Sequence, residues 1–131
     1  MNVAIITGAS QGLGLATARA LTSRGWAVAI DARREGPLRQ AAAELPAGQV
    51  AAVPGDVTDP GHRAALVAAA RALGPVTLLI NNASALGPSP QPALADYPEA
   101  ELARVYAVNV LAPLALTQLV TGDLLAAGGT V

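Results

Sequence analysis

Three glycines after an apolar run near the N-terminus constrain this chain more than any other feature. The run Val3–Ile6 predicts a β-strand, and a pattern typical of a helix follows the glycines. Gly8, Gly12 and Gly14 are spaced G-x-x-x-G-x-G, unlike the commoner G-x-G-x-x-G. Glycine lets the backbone turn sharply, and the free N–H groups of the next helix face an anion. The stretch therefore predicts a phosphate-binding turn, with a purely structural turn as the alternative.

Composition excludes several classes of site and partner. The chain has 131 residues, which is one domain at most, and its net charge of −1 argues against a nucleic-acid or anionic-membrane partner. It has no cysteine and a single histidine, His62, which we expect to be solvated at a helix start; a metal site or a Ser-His-Asp triad is therefore improbable. No apolar run approaches membrane-spanning length, and we expect a soluble, cytoplasmic protein. All eight basic residues are arginine, so a lysine ammonium must come from outside this chain.

Apolar runs and helical patterns alternate four times along residues 1–131. This alternation predicts an α/β fold, a doubly wound parallel sheet of the Rossmann type with strand order 3-2-1-4. Residues 128–131 then form the turn into a fifth strand, at which the chain stops. A ligand crevice is expected between the first and fourth strands, outside their carboxyl ends. The loop of residues 83–97, with three prolines, is either a stiff surface connection or a wall beside that crevice.

Four motifs in order resemble the short-chain dehydrogenase/reductase family across essentially the whole chain. They are Thr7-Gly8-Ala9-Ser10-Gln11-Gly12-Leu13-Gly14, Asp56-Val57, Asn81-Asn82-Ala83 and Asn109. The spacing of the first two glycines favours the oxidoreductase branch and argues against a nucleotide-sugar epimerase relative. One departure is Ser84, where the family commonly has glycine. The resemblance implies an NAD(P)-binding domain in an oxidoreductase that interconverts a carbonyl and an alcohol by hydride transfer.

The resemblance also implies a set of cofactor-binding residues. The backbone around Ser10 to Leu13 would hold the pyrophosphate, Asp56 and Val57 would contact the adenine, and Asn81 and Ala83 would border the ribose. The complete cofactor set is Gly8, Ser10, Gln11, Gly12, Leu13, Gly14, Arg33, Asp56, Val57, Asn81 and Ala83.

Asn109 has a physical interpretation of its own. It lies seven residues from both Leu102 and Leu116, which predicts that it shares their inward stripe. Pro113, four residues later, has no N–H, so the Asn109 carbonyl should lose its helical partner and the helix should bend there. The alternative is that Asn109 and Pro113 merely accommodate a bend in the helix. In the family the corresponding asparagine supports catalysis through a water linked to the lysine.

The end of the second strand bears on the choice between NAD and NADP. An acidic residue there would accept from the ribose 2′-OH and select NAD, but the family's position, 24 residues beyond Gly8, falls on Ala32. Asp31 is one residue short, and strand side chains alternate between faces. Arg33 stands next, where a guanidinium can pair with a 2′-phosphate. We therefore expect NADP(H) to be preferred, with NAD(H) possible. The alternative for Arg33 and Arg34 is that both are merely solvated side chains at the start of a helix.

The residues that would carry out hydride transfer are not found in this chain. The family uses a serine and a tyrosine with a lysine four residues later, whereas Tyr97 is followed by Glu101 and Tyr106 by Val110. We expect the N-terminal, cofactor-binding half of a dehydrogenase, inactive by itself, with a small carbonyl or alcohol as substrate. An exposed apolar strand edge would also favour homo-oligomers. The alternative is a non-catalytic dinucleotide-binding or scaffold protein.

Overall fold

The computed structural model describes residues 1–131 and contains a four-stranded parallel sheet in the order β3-β2-β1-β4. The strands are β1 (Val3–Ile6), β2 (Ala27–Ala32), β3 (Val50–Pro54) and β4 (Val76–Ile80). The main helices are α1 (Gly12–Thr22), α2 (Glu35–Ala43), α3 (Pro60–Leu73), α4 (Glu99–Tyr106) and α5 (Ala112–Ala127). The expected fold class and strand order are therefore confirmed.

The central strand β1 fixes the register of the sheet. Ile5 lies opposite Ala29 of β2 on one side and Leu79 of β4 on the other. Both neighbours run parallel to β1, so all four strands present their carboxyl ends at the same edge. Four loops therefore meet at that edge, which is where open α/β sheets bind ligands.

Two hydrophobic cores lie on opposite faces of the sheet. Alternate strand residues point to opposite faces, and helices cover both of them. One face packs against α3 and α5; its fully buried members include Val3, Ile5, Leu66, Val76 and Leu116. The other packs against α1 and α2; its fully buried members are Ala4, Ile6, Ala9, Ala18, Val28, Ile30 and Leu38. This two-sided packing is the doubly wound arrangement.

Between α4 and α5 the backbone forms a π-helical turn, Ala107–Leu111, so that one continuous helical segment runs from Glu99 to Ala127. Such a turn inserts an extra residue, and here it lies just before Pro113, which cannot donate an N–H to the preceding turn. The expected irregularity near Asn109 is therefore present as a π turn.

The inward stripe of this segment differs from the one expected. The buried residues recur every fourth position, at Val108, Ala112, Leu116, Val120 and Leu124. Leu102 and Asn109 are exposed, so the expectation that they share the Leu116 stripe is wrong. Residues seven apart do not lie at the same angle around an α-helix, and the extra residue of the π turn rotates the preceding residues further away from the Leu116 stripe.

The same segment contradicts the expectation that no apolar stretch of the chain approaches membrane-spanning length. Residues 99–127 are long and apolar enough to cross a membrane by length and composition, with a mean hydropathy of 1.6 in the most apolar window. In the fold, however, the buried stripe of α5 belongs to the core beside β4. After α5, Thr130 forms a parallel bridge with Leu78 of β4, as expected for entry into a fifth strand position.

Candidate functional site

A cleft of about 1040 Å³ opens at the carboxyl ends of the four strands. Its lining comes from the loops that follow β1, β2, β3 and β4, together with α4 and Val108. The predicted cofactor residues that line it are Gly8, Ser10, Gln11, Gly12, Arg33, Asp56, Val57 and Ala83. Three others, Leu13, Gly14 and Asn81, are outside the lining. The structure thus brings most of the predicted set to one place.

The glycine turn between β1 and α1 is packed against the segment that follows β4. A Cβ on Gly14 would lie 2.6 Å from Nδ2 of Asn82 and 2.7 Å from the Gly8 carbonyl oxygen. A Cβ on Gly8 would lie 2.9 Å from Cα of Ala83, at a positive φ of 64°. Gly14 does not line the cleft itself, but its lack of a side chain lets α1 pack closely against the turn that does.

Asn82 holds this turn in place, although the predicted cofactor residues are its neighbours Asn81 and Ala83. Its Nδ2 donates to the carbonyl oxygens of Thr7 (3.1 Å) and Gly8 (2.9 Å). In return, the Thr7 hydroxyl accepts from the backbone amides of Asn82 (3.1 Å) and Ala83 (3.0 Å). Thr7 is fully buried, so these bonds fix β1 and β4 together at the edge of the cleft. The repeated Asn-Asn dipeptide was the available signal, but it does not tell which amide faces the turn.

Asp31 and His62 form a buried pair beneath the glycine turn. Nε2 of His62 lies 2.7 Å from Oδ2 of Asp31, and both side chains are nearly inaccessible to solvent. The other oxygen, Oδ1, accepts from the Gly8 amide at 2.8 Å. The expectation of a solvated His62 is therefore wrong. It lies in the first turn of α3, on the face toward β2, and the buried carboxylate of Asp31 there requires a partner.

Asp56, in the turn after β3, is held by two neighbours. Its Oδ1 accepts from the amide (2.9 Å) and hydroxyl (2.8 Å) of Thr58, and its Oδ2 pairs with Arg104 of α4 at 3.0 Å. Partial burial raises the pKa of Asp56, but the hydrogen bonds from Thr58 and the Arg104 guanidinium outweigh it and lower the pKa below its ordinary value. The carboxylate is consequently charged at neutral pH and remains a hydrogen-bond acceptor at the cleft.

Arg33 and Arg34 lie at the cleft after β2, and both are exposed. Neither takes part in the four arginine–carboxylate ion pairs of the chain, which use Arg19, Arg39, Arg71 and Arg104. Two unpaired guanidinium groups on one loop form a positive wall that can pair with a phosphate.

Asn109 contacts the loop after β4 through its side chain. Its Oδ1 accepts from the Ala85 amide at 2.8 Å, and its Nδ2 donates to the Ala85 carbonyl oxygen at 2.9 Å. Residues 84–88 of this loop line the cleft, which favours the wall over the plain surface connection. Asn109 thus fixes that wall to the helix; the sequence singled out its backbone carbonyl rather than its side chain.

Comparison with known proteins agrees with this geometry. The family model described as short chain dehydrogenase matches residues 2–131. Among curated proteins, the ketoacyl reductase HetN of Nostoc sp. is 35% identical over 127 residues, covering 95% of this chain and 43% of that protein. The chain spans less than half the length of this relative.

Two solved structures share both fold and sequence with the chain. A metagenomic short-chain oxidoreductase in complex with NADP has a TM-score of 0.86 at 33% identity, covering 98% of this chain and 58% of that one. The 3-ketoacyl-(acyl-carrier-protein) reductase of Brucella melitensis, complexed with NADH, has a TM-score of 0.84 at 30% identity, covering 93% and 49%. The sheet order, the cleft and these matches show that the chain belongs to the short-chain dehydrogenase/reductase family.

Proposed function

We propose that the cleft binds a nicotinamide dinucleotide, with NADP(H) preferred, and that the chain is the cofactor-binding part of an oxidoreductase. The reaction would interconvert a small carbonyl compound and an alcohol by hydride transfer. The observation that carries the proposal is the convergence of four loops, one after each strand, on a single cleft with a glycine turn at one end. Membership of the family and its cofactor-bound relatives support the same assignment.

The glycine turn suits the pyrophosphate. Gly8, Ser10, Gln11 and Gly12 line the cleft directly before α1, whose N-terminal amides and positive dipole end favour an anion. No acidic residue lies in the first turn of α1, so no carboxylate competes for those amides.

The turn after β3 suits the adenine. Asp56 and Val57 line the cleft there, and the Asp56 carboxylate retains lone pairs that can accept from an exocyclic amino group. Val57 is buried at the cleft floor and offers an apolar contact.

The preference for NADP(H) is supported by the hydrogen bonds of Asp31 and by the unpaired guanidinium of Arg33. Both oxygens of Asp31 are engaged with Gly8 and His62, on the face of the sheet turned toward α3. Because this carboxylate is also only 2% exposed, it is poorly placed to accept a hydrogen bond from a ribose 2′-OH. Arg33 and Arg34, by contrast, are free to pair with a 2′-phosphate.

In the proposed reaction the cofactor and the protein have different roles. The nicotinamide, when bound, supplies or accepts the hydride. This chain binds and orients the dinucleotide, and Asn109 secures the loop wall beside it. The chain contains no lysine, so we propose that these 131 residues alone do not catalyse carbonyl reduction. Steady-state assays of the chain with NADPH and carbonyl compounds should show no turnover; NADPH oxidation coupled to carbonyl reduction would contradict this.

Parallel fluorescence titrations with NADPH and NADH test the binding proposal. We expect wild type to bind NADPH more tightly, and Arg33→Ala to weaken NADPH binding about tenfold, the loss of one good charge-assisted contact, while leaving NADH unchanged. Arg39→Ala is the matched control, because Arg39 lies on α2 outside the cleft and pairs with Glu35. Equal affinities for the two cofactors, or an unchanged ratio in Arg33→Ala, would contradict the assigned preference.

A further inference from the structure

We infer that His62 is a positioning residue for the glycine turn, acting through Asp31 on the amide of Gly8. This inference rests on the proposed function in one respect only, namely that the turn holds the pyrophosphate of a dinucleotide. His62 itself does not line the cleft, and the sequence motifs of the family do not include it.

The chain of contacts runs from α3 to the turn in two short steps. Nε2 of His62 is 2.7 Å from Oδ2 of Asp31, and Oδ1 of Asp31 accepts from the Gly8 amide at 2.8 Å. The backbone carbonyl of Asp31 also accepts from the Ala9 amide at 3.0 Å. Asp31 therefore holds the first two amides of the turn, and His62 holds the carboxylate that binds one of them.

His62 is itself rigidly held. Its backbone amide donates to the capping carboxylate of Asp59 at 2.8 Å, which fixes the first turn of α3. The imidazole fills the space beneath Gly55, where a Cβ would lie 2.2 Å from Nδ1 of His62. The turn that carries Asp56 can therefore lie directly over the ring only because residue 55 has no side chain. One imidazole thus contacts Asp31 near the end of β2 and the loop after β3, and through Asp31 it supports the loop after β1.

The buried charge of Asp31 explains why residue 62 must supply a hydrogen-bond donor. Asp31 is 2% exposed, and a buried carboxylate with a single amide partner is poorly compensated. Nε2–H of His62 supplies the second donor and keeps the carboxylate directed at Gly8. Without that donor, one carboxylate oxygen is left buried with no hydrogen-bond partner, and turning toward solvent to regain one alters the bond of the carboxylate to the turn.

The test compares three variants by two ligands. His62→Leu removes the donor, His62→Gln retains an amide donor, and the double change Asp31→Asn with His62→Leu removes the buried charge together with its partner. The ligands are NADPH and adenosine 2′-monophosphate, which carries the adenine and the 2′-phosphate but no pyrophosphate. Thermal unfolding of each variant is recorded alongside.

We expect His62→Leu to weaken NADPH binding by about tenfold, the size of effect that follows from losing about one buried hydrogen bond in the support of the turn. Binding of adenosine 2′-monophosphate should change far less, because that ligand does not reach the glycine turn. His62→Gln and the double variant should recover most of the NADPH affinity. A purely structural histidine would weaken both ligands in proportion, and that result, or unchanged NADPH binding in folded His62→Leu, would overturn the inference.

Hydrogen exchange of the ligand-free chain separates this inference from the proposed function. The Gly8 amide should exchange slowly in wild type and at least tenfold faster in His62→Leu, with recovery in the double variant. If wild type failed to bind NADPH, the proposed function would be refuted while the exchange of Gly8 still decided the role of His62. If His62→Leu does not fold, the double variant Asp31→Asn/His62→Leu is compared with wild type instead: Gly8 exchange close to that of wild type supports the account, and exchange at least tenfold faster would overturn it.

Discussion

Replacing Gly14 with alanine should destabilise the protein, although the same change in most helices is favourable. Gly14 lies in the first turn of α1, where a Cβ would be 2.6 Å from Nδ2 of Asn82, 2.7 Å from the Gly8 carbonyl oxygen and 2.9 Å from Cα of Ala9. Two of these atoms belong to the backbone and cannot move aside cheaply. The third belongs to the side chain that holds the glycine turn.

The expected magnitude follows from those contacts. Displacing Asn82 breaks its two hydrogen bonds to the turn, worth about 1 kcal/mol each. Overpacking against the backbone costs about 2 kcal/mol more. The higher helix propensity of alanine returns up to about 1 kcal/mol. The free energy of unfolding should therefore fall by about 3 kcal/mol, which corresponds to a melting temperature lower by about 10 °C for a chain of this size.

Urea unfolding followed by circular dichroism measures this loss, and Gly122→Ala is the matched control. Gly122 lies in α5 with nothing within 4 Å of the position of a Cβ, so alanine there should raise stability by up to about 1 kcal/mol. The two glycine-to-alanine changes should thus act in opposite directions. If Gly14→Ala were neutral or stabilising, the close approach of α1 to the turn would be refuted.

Three further changes test separate contacts. Thr7→Val removes the hydroxyl that accepts from the amides of Asn82 and Ala83; the Asn82 amide keeps the Ile80 carbonyl oxygen as an acceptor, whereas the Ala83 amide loses its partner. The change should cost about 1 to 2 kcal/mol in urea unfolding, and a loss under about 0.5 kcal/mol would contradict the role of the hydroxyl. Asn109→Ala should accelerate hydrogen exchange of the Ala85 amide, and unchanged exchange would mean that the loop is held otherwise. The hydrogen bonds and charge of Arg71 lower the pKa of Asp123, so this pair should stabilise the fold above the ordinary aspartate pKa and lose its effect as pH falls through the lowered value. Asp123→Asn should accordingly reduce stability by less than about 1 kcal/mol at pH 7, and the loss measured by urea unfolding should shrink as the pH falls through the lowered pKa; a loss that does not depend on pH would refute the pairing.

The fold was predictable because its determinants are local. The apolar run of β1, the glycines after it and the proline at the start of α3 each specify one element, and the alternation of strands and helices then limits the topology. The motif residues of the cleft were identified through the resemblance to the family, whose motifs stand at the strand ends. These features depend on neighbours in sequence, or on a rule about connections, and neither needs a tertiary contact.

The misassigned features depend on contacts between distant residues. His62 lies 31 residues from Asp31, and nothing near it in sequence reveals a buried carboxylate. The role of Asn82 depends on which of two adjacent amides faces the glycine turn, 74 residues away. Asn109 was placed on the wrong stripe because an α-helical period does not include the extra residue of a π turn. In each case the decisive partner is set by packing rather than by the local pattern.

The most direct test of the central proposal is hydrogen–deuterium exchange of the 131-residue chain with and without saturating NADPH. The account predicts slower exchange in residues 7–15, which contain the glycine turn, and in residues 55–58 and 81–86 at the other ends of the cleft. Exchange in α5 should be unchanged, because α5 does not line the cleft. Protection confined to other segments, or no protection at NADPH concentrations that saturate the family's relatives, would contradict a dinucleotide site at these strand ends.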